Sequence, residues 1–174
     1  MINSKQARRR WIIRTLRFFV ASSSEVVEFR RDLIIWVDNK NKLLKPRNVQ
    51  VEIDIWEYKT SAIPATGRSQ DEYNKSLAKA DFVAVIIKNK VGKYTREEFD
   101  TALTLNRTTG RPQICIYMLP PDKPEPSLSE FLSFLHTDSL DYFPVNVIST
   151  DMLMYNMYSS GPKAATFYWH AGMP

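Results

Sequence analysis

Phe82-Val83-Ala84-Val85-Ile86-Ile87 is a run of six apolar residues with no polar interruption, four of them β-branched. Such a run suits a central strand buried on both faces, because neither side of its pleat meets water. On its C-terminal side a polar turn with Gly92 leads to a helix over 95–107, with Phe99, Ala102 and Leu103 at three- and four-residue spacing. Thr109-Gly110-Arg111-Pro112 stops that helix, and Gln113–Met118 follows as another apolar strand. Beyond it come a Pro-rich loop (119–127), a short helix over 129–136 and a fifth strand over 142–148.

On the N-terminal side, residues 49–58 alternate strictly, with Val49, Val51, Ile53 and Ile55 on one face, which predicts a strand near a sheet edge. Residues 17–21 form a short first strand, ended by Ser22-Ser23-Ser24. A helix over 25–39 follows, with Val26, Phe29, Leu33 and Trp36 or Val37 on its stripe and Ser22-x-x-Glu25 as a capping box. A polar turn over 39–48 carries Pro46. A second helix over 69–80 opens on Ser69-x-x-Glu72 and lines up Tyr73, Leu77 and Ala80.

Strict alternation of strands and helices implies right-handed crossovers and a parallel sheet covered on both faces. The expected fold is α/β, a flavodoxin-like doubly wound parallel five-stranded sheet in the order 2-1-3-4-5. The expected domain organisation is a basic N-terminal segment (1–14), one α/β domain (15–150) and an irregular C-terminal tail (151–174). In that tail Met152, Met154 and Met157 give no clean helical stripe.

Composition narrows the chemistry. The chain has 174 residues, 44% of them hydrophobic and 25% charged, as expected of one globular domain. A single cysteine and two histidines exclude a disulfide framework and argue against a Cys/His metal site, so a reducing, cytoplasmic setting is expected. No stretch approaches the ~18–20 apolar residues needed to span a bilayer, and no signal peptide is read at the N-terminus. The net charge of +5 comes from 24 basic and 19 acidic residues interspersed along the chain. That distribution argues against nucleic acid as a partner and fits steering of anionic ligands.

In an open parallel sheet, ligands bind at the carboxyl ends of the strands where the strand order reverses. Here that crevice gathers Ser22, Ser23, Trp56, Glu57, Arg68, Lys88, Lys90, Tyr94 and Glu98. No Gly-x-Gly-x-x-Gly, Gly-x-x-x-x-Gly-Lys-Ser/Thr or Gly-x-Ser-x-Gly occurs, which removes support for Rossmann-type dinucleotide binding, P-loop chemistry and a serine-hydrolase elbow. Cys115 lies between apolar neighbours in a strand, as an inert thiol would. Tyr94 and Glu98 are four apart at a loop-to-helix junction, so ring and carboxylate project toward the same crevice. A carboxylate beside an aromatic ring suits an oxocarbenium-like ribosyl centre with a flat leaving group. Thr95-x-x-Glu98 also reads as a capping box, in which Glu98 only returns to the Thr95 amide.

Four stretches in this order and spacing carry a resemblance: 17–24 (RFFVASSS), Ile55-Trp56-Glu57, 70–82 (QDEYNKSLAKADF) and 91–99 (VGKYTREEF). Over 14–149 the chain resembles a bacterial Toll/interleukin receptor (TIR)-like domain of the NAD-cleaving kind. The resemblance implies cleavage of NAD+ at the nicotinamide–ribose bond, with NAD+ as substrate and no cofactor or metal. The products would be nicotinamide and ADP-ribose or a cyclic ADP-ribose, from an effector in antiviral defence or signalling. In that family the catalytic glutamate ends a Trp-x-x-x-Glu motif. Tyr94-x-x-x-Glu98 matches with Tyr for Trp, which makes Glu98 the catalytic candidate and Glu97 its neighbour in reserve.

Phe19, Ser22 and Ser23 fall where the family lines its nucleotide site, while Trp56 and Tyr94 would bound the nicotinamide pocket. Arg68 would contact phosphate, and the 59–68 loop would join copies of the chain into an active homo-oligomer under an upstream sensor domain or protein. Two other classes remain open: a non-catalytic TIR-type interaction module, and a nucleoside deoxyribosyltransferase-like enzyme.

Overall fold

The computed structural model describes residues 13–55, 75–137 and 144–159. Five strands, β1 (Arg14–Ser22), β2 (Val49–Asp54), β3 (Phe82–Ile87), β4 (Gln113–Met118) and β5 (Val145–Asn146), form one sheet in the order 2-1-3-4-5. Every pairing is parallel. The helices are α1 (Val27–Leu44), α2 (Lys93–Thr109), α3 (Pro126–Leu135) and α4 (Thr150–Ser159), with residues 75–78 also helical. This is the flavodoxin-like α/β architecture expected from the alternation of elements.

The apolar run that predicted a central strand is central and wholly buried. Its residues divide between the two faces. Phe82, Ala84 and Ile86 pack with Leu16, Phe18 and Val20 of β1, Leu33 and Val37 of α1, and Leu153 of α4. Val83, Val85 and Ile87 pack with Phe19 and Ala21, with Leu77, and with Phe99 of α2 and Phe131 of α3. One face therefore rests under α1 and α4, the other under the 75–78 turn, α2 and α3. Phe18 and Phe82, register partners across β1 and β3, stack with ring centroids 4.7 Å apart.

β2 is an edge strand, as its alternation predicted. Its outer edge is partly covered from α1: the Asn41 side-chain amide donates to the Val51 carbonyl and accepts from the Val51 amide, both at 2.8 Å. A side chain that mimics a neighbouring strand in this way blunts an edge against further pairing. Asn41 reaches it because α1 continues to Leu44, past the turn expected from residue 39. Of the polar residues that suggested a turn, Asn39 and Lys42 face solvent and Asn41 serves β2, while buried Leu44 extends the stripe of Leu33 and Val37.

Two other expectations at the C-terminal end are corrected. α3 begins three residues earlier than expected, with Pro126 in its first turn, where a missing amide hydrogen costs nothing. Thr150–Ser159 is helical, although an irregular tail was expected from 151. The helix lacks a strong stripe. It is docked through fully buried Leu153, and the Thr150 hydroxyl lies 3.3 Å from Asp32 of α1. Residues 160–174 of the expected tail, and 1–12 of the expected N-terminal segment, lie outside the described residues.

α2 ends as its sequence predicted. Gly110 adopts φ +74° and donates its amide to the Asn106 carbonyl at 2.8 Å. A Cβ there would meet nothing within 4 Å, so substitution carries backbone strain alone. Gly110→Ala is expected to cost about 1 kcal/mol, a fall of roughly 2–4 °C in Tm for a chain of this size. Thermal melts followed by circular dichroism check it; an unchanged Tm would show that the left-handed conformation is not required.

Candidate functional site

α1, which follows β1, lies on one face of the sheet and α2, which follows β3, on the other, so the loops after these two neighbouring strands diverge at the strands' carboxyl ends. A cavity of about 360 Å³ lies at this parting, lined by Phe19, Ser22 and Ser23 of β1 and its loop, and by Tyr94 and Glu98 of α2. Those are five of the seven site residues expected from the sequence. Trp56 and Arg68 lie outside the described residues, as do Glu57 and the 59–68 loop. Lys90 also lines the cavity. Lys88 does not; it pairs instead with Asp122 of the loop after β4 at 3.1 Å.

Glu98 is 7% exposed. The capping-box reading of Thr95-x-x-Glu98 fails on register: the N-cap of α2 is Gly92, and no side chain caps the helix. Helical hydrogen bonding already begins with the Arg96 amide donating to the Gly92 carbonyl at 2.9 Å. Thr95 and Glu98 therefore both lie inside the helix, one turn apart, and both are buried. Among the described residues the Glu98 carboxylate has no hydrogen-bond or ion-pair partner. Burial pushes its pKa up to about 8; Glu97 and Asp54 push the same way, and the Arg30 guanidinium opposes them. Near neutral pH the cavity thus holds mostly a neutral carboxylic acid.

Such a group is an unusual thing to keep in a fold. A buried carboxyl without a partner costs free energy that an apolar residue would not, and shifted pKa values of this kind cluster at functional sites. A cation entering the cavity would favour ionisation, so the acid is suited to a positively charged ligand or a developing positive charge. Glu97 is half-buried and lies along a separate shallow groove with Arg96 and Asp100, away from the cavity lining.

No side chain of the Ser22–Glu25 stretch caps a helix. Ser23 precedes a short 3-10 turn (Ser24–Val26) and donates its hydroxyl to Glu25 at 3.0 Å. The Glu25 carboxylate does not return to Ser22, as the capping-box pattern predicted. It accepts the backbone amides of Asn89 and Lys90 at 3.1 and 3.2 Å, tying the β1 loop to the β3 loop. Asn89 in turn accepts the amides of Asp122 and Lys123, both at 2.9 Å. Three strand-end loops are thereby joined on one side of the cavity.

Arg30 escaped the sequence reading. It lines the cavity at 4% exposure, and its Nη1 donates to the Ser22 hydroxyl at 2.9 Å and the Ser23 carbonyl at 2.7 Å. A signal was present: Val26, Arg30, Leu33 and Val37 follow helical spacing, and all four are buried. An arginine on an apolar stripe needs partners inside the fold.

Cys115 is half-buried in β4, and burial pushes its thiol pKa up, as expected of an inert residue. Among the described residues no group of three or more His, Cys, Asp or Glu side chains could hold a metal ion. No helix among them is long and apolar enough to cross a membrane. The chain matches no protein-family model and no curated protein.

Proposed function

We propose that this chain is a TIR-like NAD+ glycohydrolase that cleaves the nicotinamide–ribose bond. The observation that carries the reading is the buried Glu98, with no hydrogen-bond or ion-pair partner among the described residues, in a cavity at the switch point of a parallel sheet, one helical turn from an exposed tyrosine. In this mechanism the nicotinamide ring stacks against Tyr94 and its positive charge drives Glu98 into the carboxylate form. As the glycosidic C–N bond lengthens, the bonding pair leaves with nicotinamide and positive charge develops on the ribose. The carboxylate, held in a site of low dielectric, stabilises that charge. Water then attacks the anomeric carbon and loses a proton, giving ADP-ribose; attack by an adenine nitrogen gives a cyclic product.

Ser22 and Ser23 stand where the diphosphate of the substrate would cross, at the start of the helical segment after β1. NAD+ is consumed as substrate, and nothing in the scheme needs a cofactor. Assembly of copies through the 59–68 loop, under an upstream sensor, and a role in antiviral defence belong to the same proposal.

The test is NAD+ consumption by the full chain at high protein concentration with a crowding agent, followed by mass spectrometry. Release of nicotinamide with ADP-ribose or its cyclic form is expected. Cleavage of simple nucleosides in preference to the dinucleotide would favour the deoxyribosyltransferase-like class. No turnover despite light-scattering evidence of assembly would favour the interaction module.

Tyr94 gives a second handle. It is 59% exposed, so Tyr94→Ala is expected to leave the melting curve within about 0.5 kcal/mol of wild type. Loss of an aromatic platform worth about 1 kcal/mol raises KM roughly fivefold, and Tyr94→Trp restores or lowers it. Equal KM values in all three would remove the stacking role.

A further inference from the structure

We propose that Arg30 is a positioning residue of this cavity, holding the Ser22–Ser23 turn through its hydrogen bonds and acting on Glu98 through its charge. The assignment rests on the reading of Glu98 as the working carboxylate.

Three observations support it. Arg30 is buried in the same cavity lining as Glu98, although it comes from α1, on the opposite face of the sheet from α2. Its Nη1 is spent on the Ser22 hydroxyl and the Ser23 carbonyl, which fixes the guanidinium at the mouth of the β1 loop. A guanidinium fixed by two hydrogen bonds is a charge whose position does not relax away.

The described charges around Glu98 also leave Arg30 a distinct part. Glu97 on the same helix and Asp54 at the end of β2 both oppose ionisation, and Arg30 favours it. Lys90 and Lys93 line the cavity as well, but Lys90 is half-buried and pairs with Glu125 at 3.4 Å, and Lys93 is exposed to solvent. Solvent screens their charges more than that of Arg30. Among the described residues, Arg30 is thus the buried cation whose charge favours ionisation of Glu98. A desolvated acid facing only Glu97 and Asp54 would stay neutral against all but the most strongly cationic ligands.

The experiment titrates the Glu98 side-chain carbon by NMR in the full chain labelled with 13C-glutamate, the resonance being identified by its loss in Glu98→Gln. Arg30→Met, which suits the apolar stripe of α1, and Arg30→Gln both remove the charge; Arg30→Lys keeps it. Cooperative thermal melts establish that each variant is folded. The two neutral variants are expected to raise the Glu98 midpoint by about half a pH unit or more, a threefold or greater change in proton affinity. Arg30→Lys is expected to stay within about 0.2 units of wild type, on the same scale.

A folded neutral variant that titrates with wild type overturns the assignment. So does a shift in Arg30→Lys as large as in the neutral variants, which would trace the effect to the turn and not to charge. In NAD+ cleavage, the neutral variants should show a deficit in kcat/KM that closes as pH rises past the shifted midpoint. If wild type cleaves no NAD+ while the midpoint still moves, the glycohydrolase reading fails and the action of Arg30 on Glu98 stands.

Discussion

Glu98→Gln is expected to lower NAD+ turnover by about two to three orders of magnitude, the usual loss when one preorganised electrostatic group is removed from a reacting centre. Glutamine keeps the volume and polarity of the neutral acid but cannot ionise, so substrate still stacks on Tyr94 and binds in an intact cavity while its ribose meets no charge. The fall should therefore appear in kcat more than in KM. The pH dependence gives an independent check. With the free-protein pKa of Glu98 near 8, kcat/KM should rise about tenfold per pH unit below that value and level off above it. Glu98→Gln should lose the slope along with the rate. A variant that turns over NAD+ like wild type, or a profile flat between pH 6 and 8, would dismiss Glu98 as the catalytic group.

The same substitution is expected to make the fold more stable, by an amount set by pH. In the folded chain the Glu98 pKa is raised from 4.5 to about 8, so the native state holds its proton where the unfolded chain has released it. Below about pH 4.5 the acid is neutral in both states and adds no penalty. Between 4.5 and 8 each unit of rising pH costs about 1.4 kcal/mol of stability, and above 8 the cost levels off. Full linkage sets a ceiling near ~5 kcal/mol. Relaxation and water entry reduce it, so a gain of about 2–4 kcal/mol is expected for Glu98→Gln at pH 8. In Tm this is of the order of 5–10 °C. At pH 4 the two proteins should melt together. Paired melts at pH 4 and pH 8 check the prediction, and an equal difference at both would show that the ionisation of Glu98 is not what strains the fold. Loss of activity together with a gain in stability is the pattern expected when a site keeps a costly group for function.

Arg30 and Glu98 come to share a cavity because the β-α-β topology closes two distant helices over one sheet edge. Their separation in sequence, 68 positions, places their juxtaposition beyond any local pattern. The Glu25 carboxylate is a similar case. Local spacing pairs it with Ser22, but in the fold two free backbone amides at Asn89 and Lys90 compete for it and win. Amides stranded at a strand end must be satisfied by something nearby, and Glu25 is the acceptor that the packing of α1 delivers.

The class and order of the sheet follow from the pattern of apolar residues along the chain. Phe82–Ile87 had to be central because both faces of its pleat are apolar, and residues 49–54 had to lie at an edge because one face is not. Gly110 marked the end of α2 because few other residues tolerate a left-handed backbone. These features depend on periodicity and backbone sterics, which act within a few residues. Tertiary structure set the extension of α1 to Leu44, the helix over Thr150–Ser159, and the start of α2 at Lys93 behind Gly92, which frees Glu98 from capping. It also decided the burial of Arg30 and the ionisation of Glu98. Helix ends are settled by a few tenths of a kcal/mol per residue, which a single docked side chain such as Leu44 or Leu153 outweighs. A pKa is settled by the water excluded and the charges gathered around a group, and here those come from α1, α2 and β2 together.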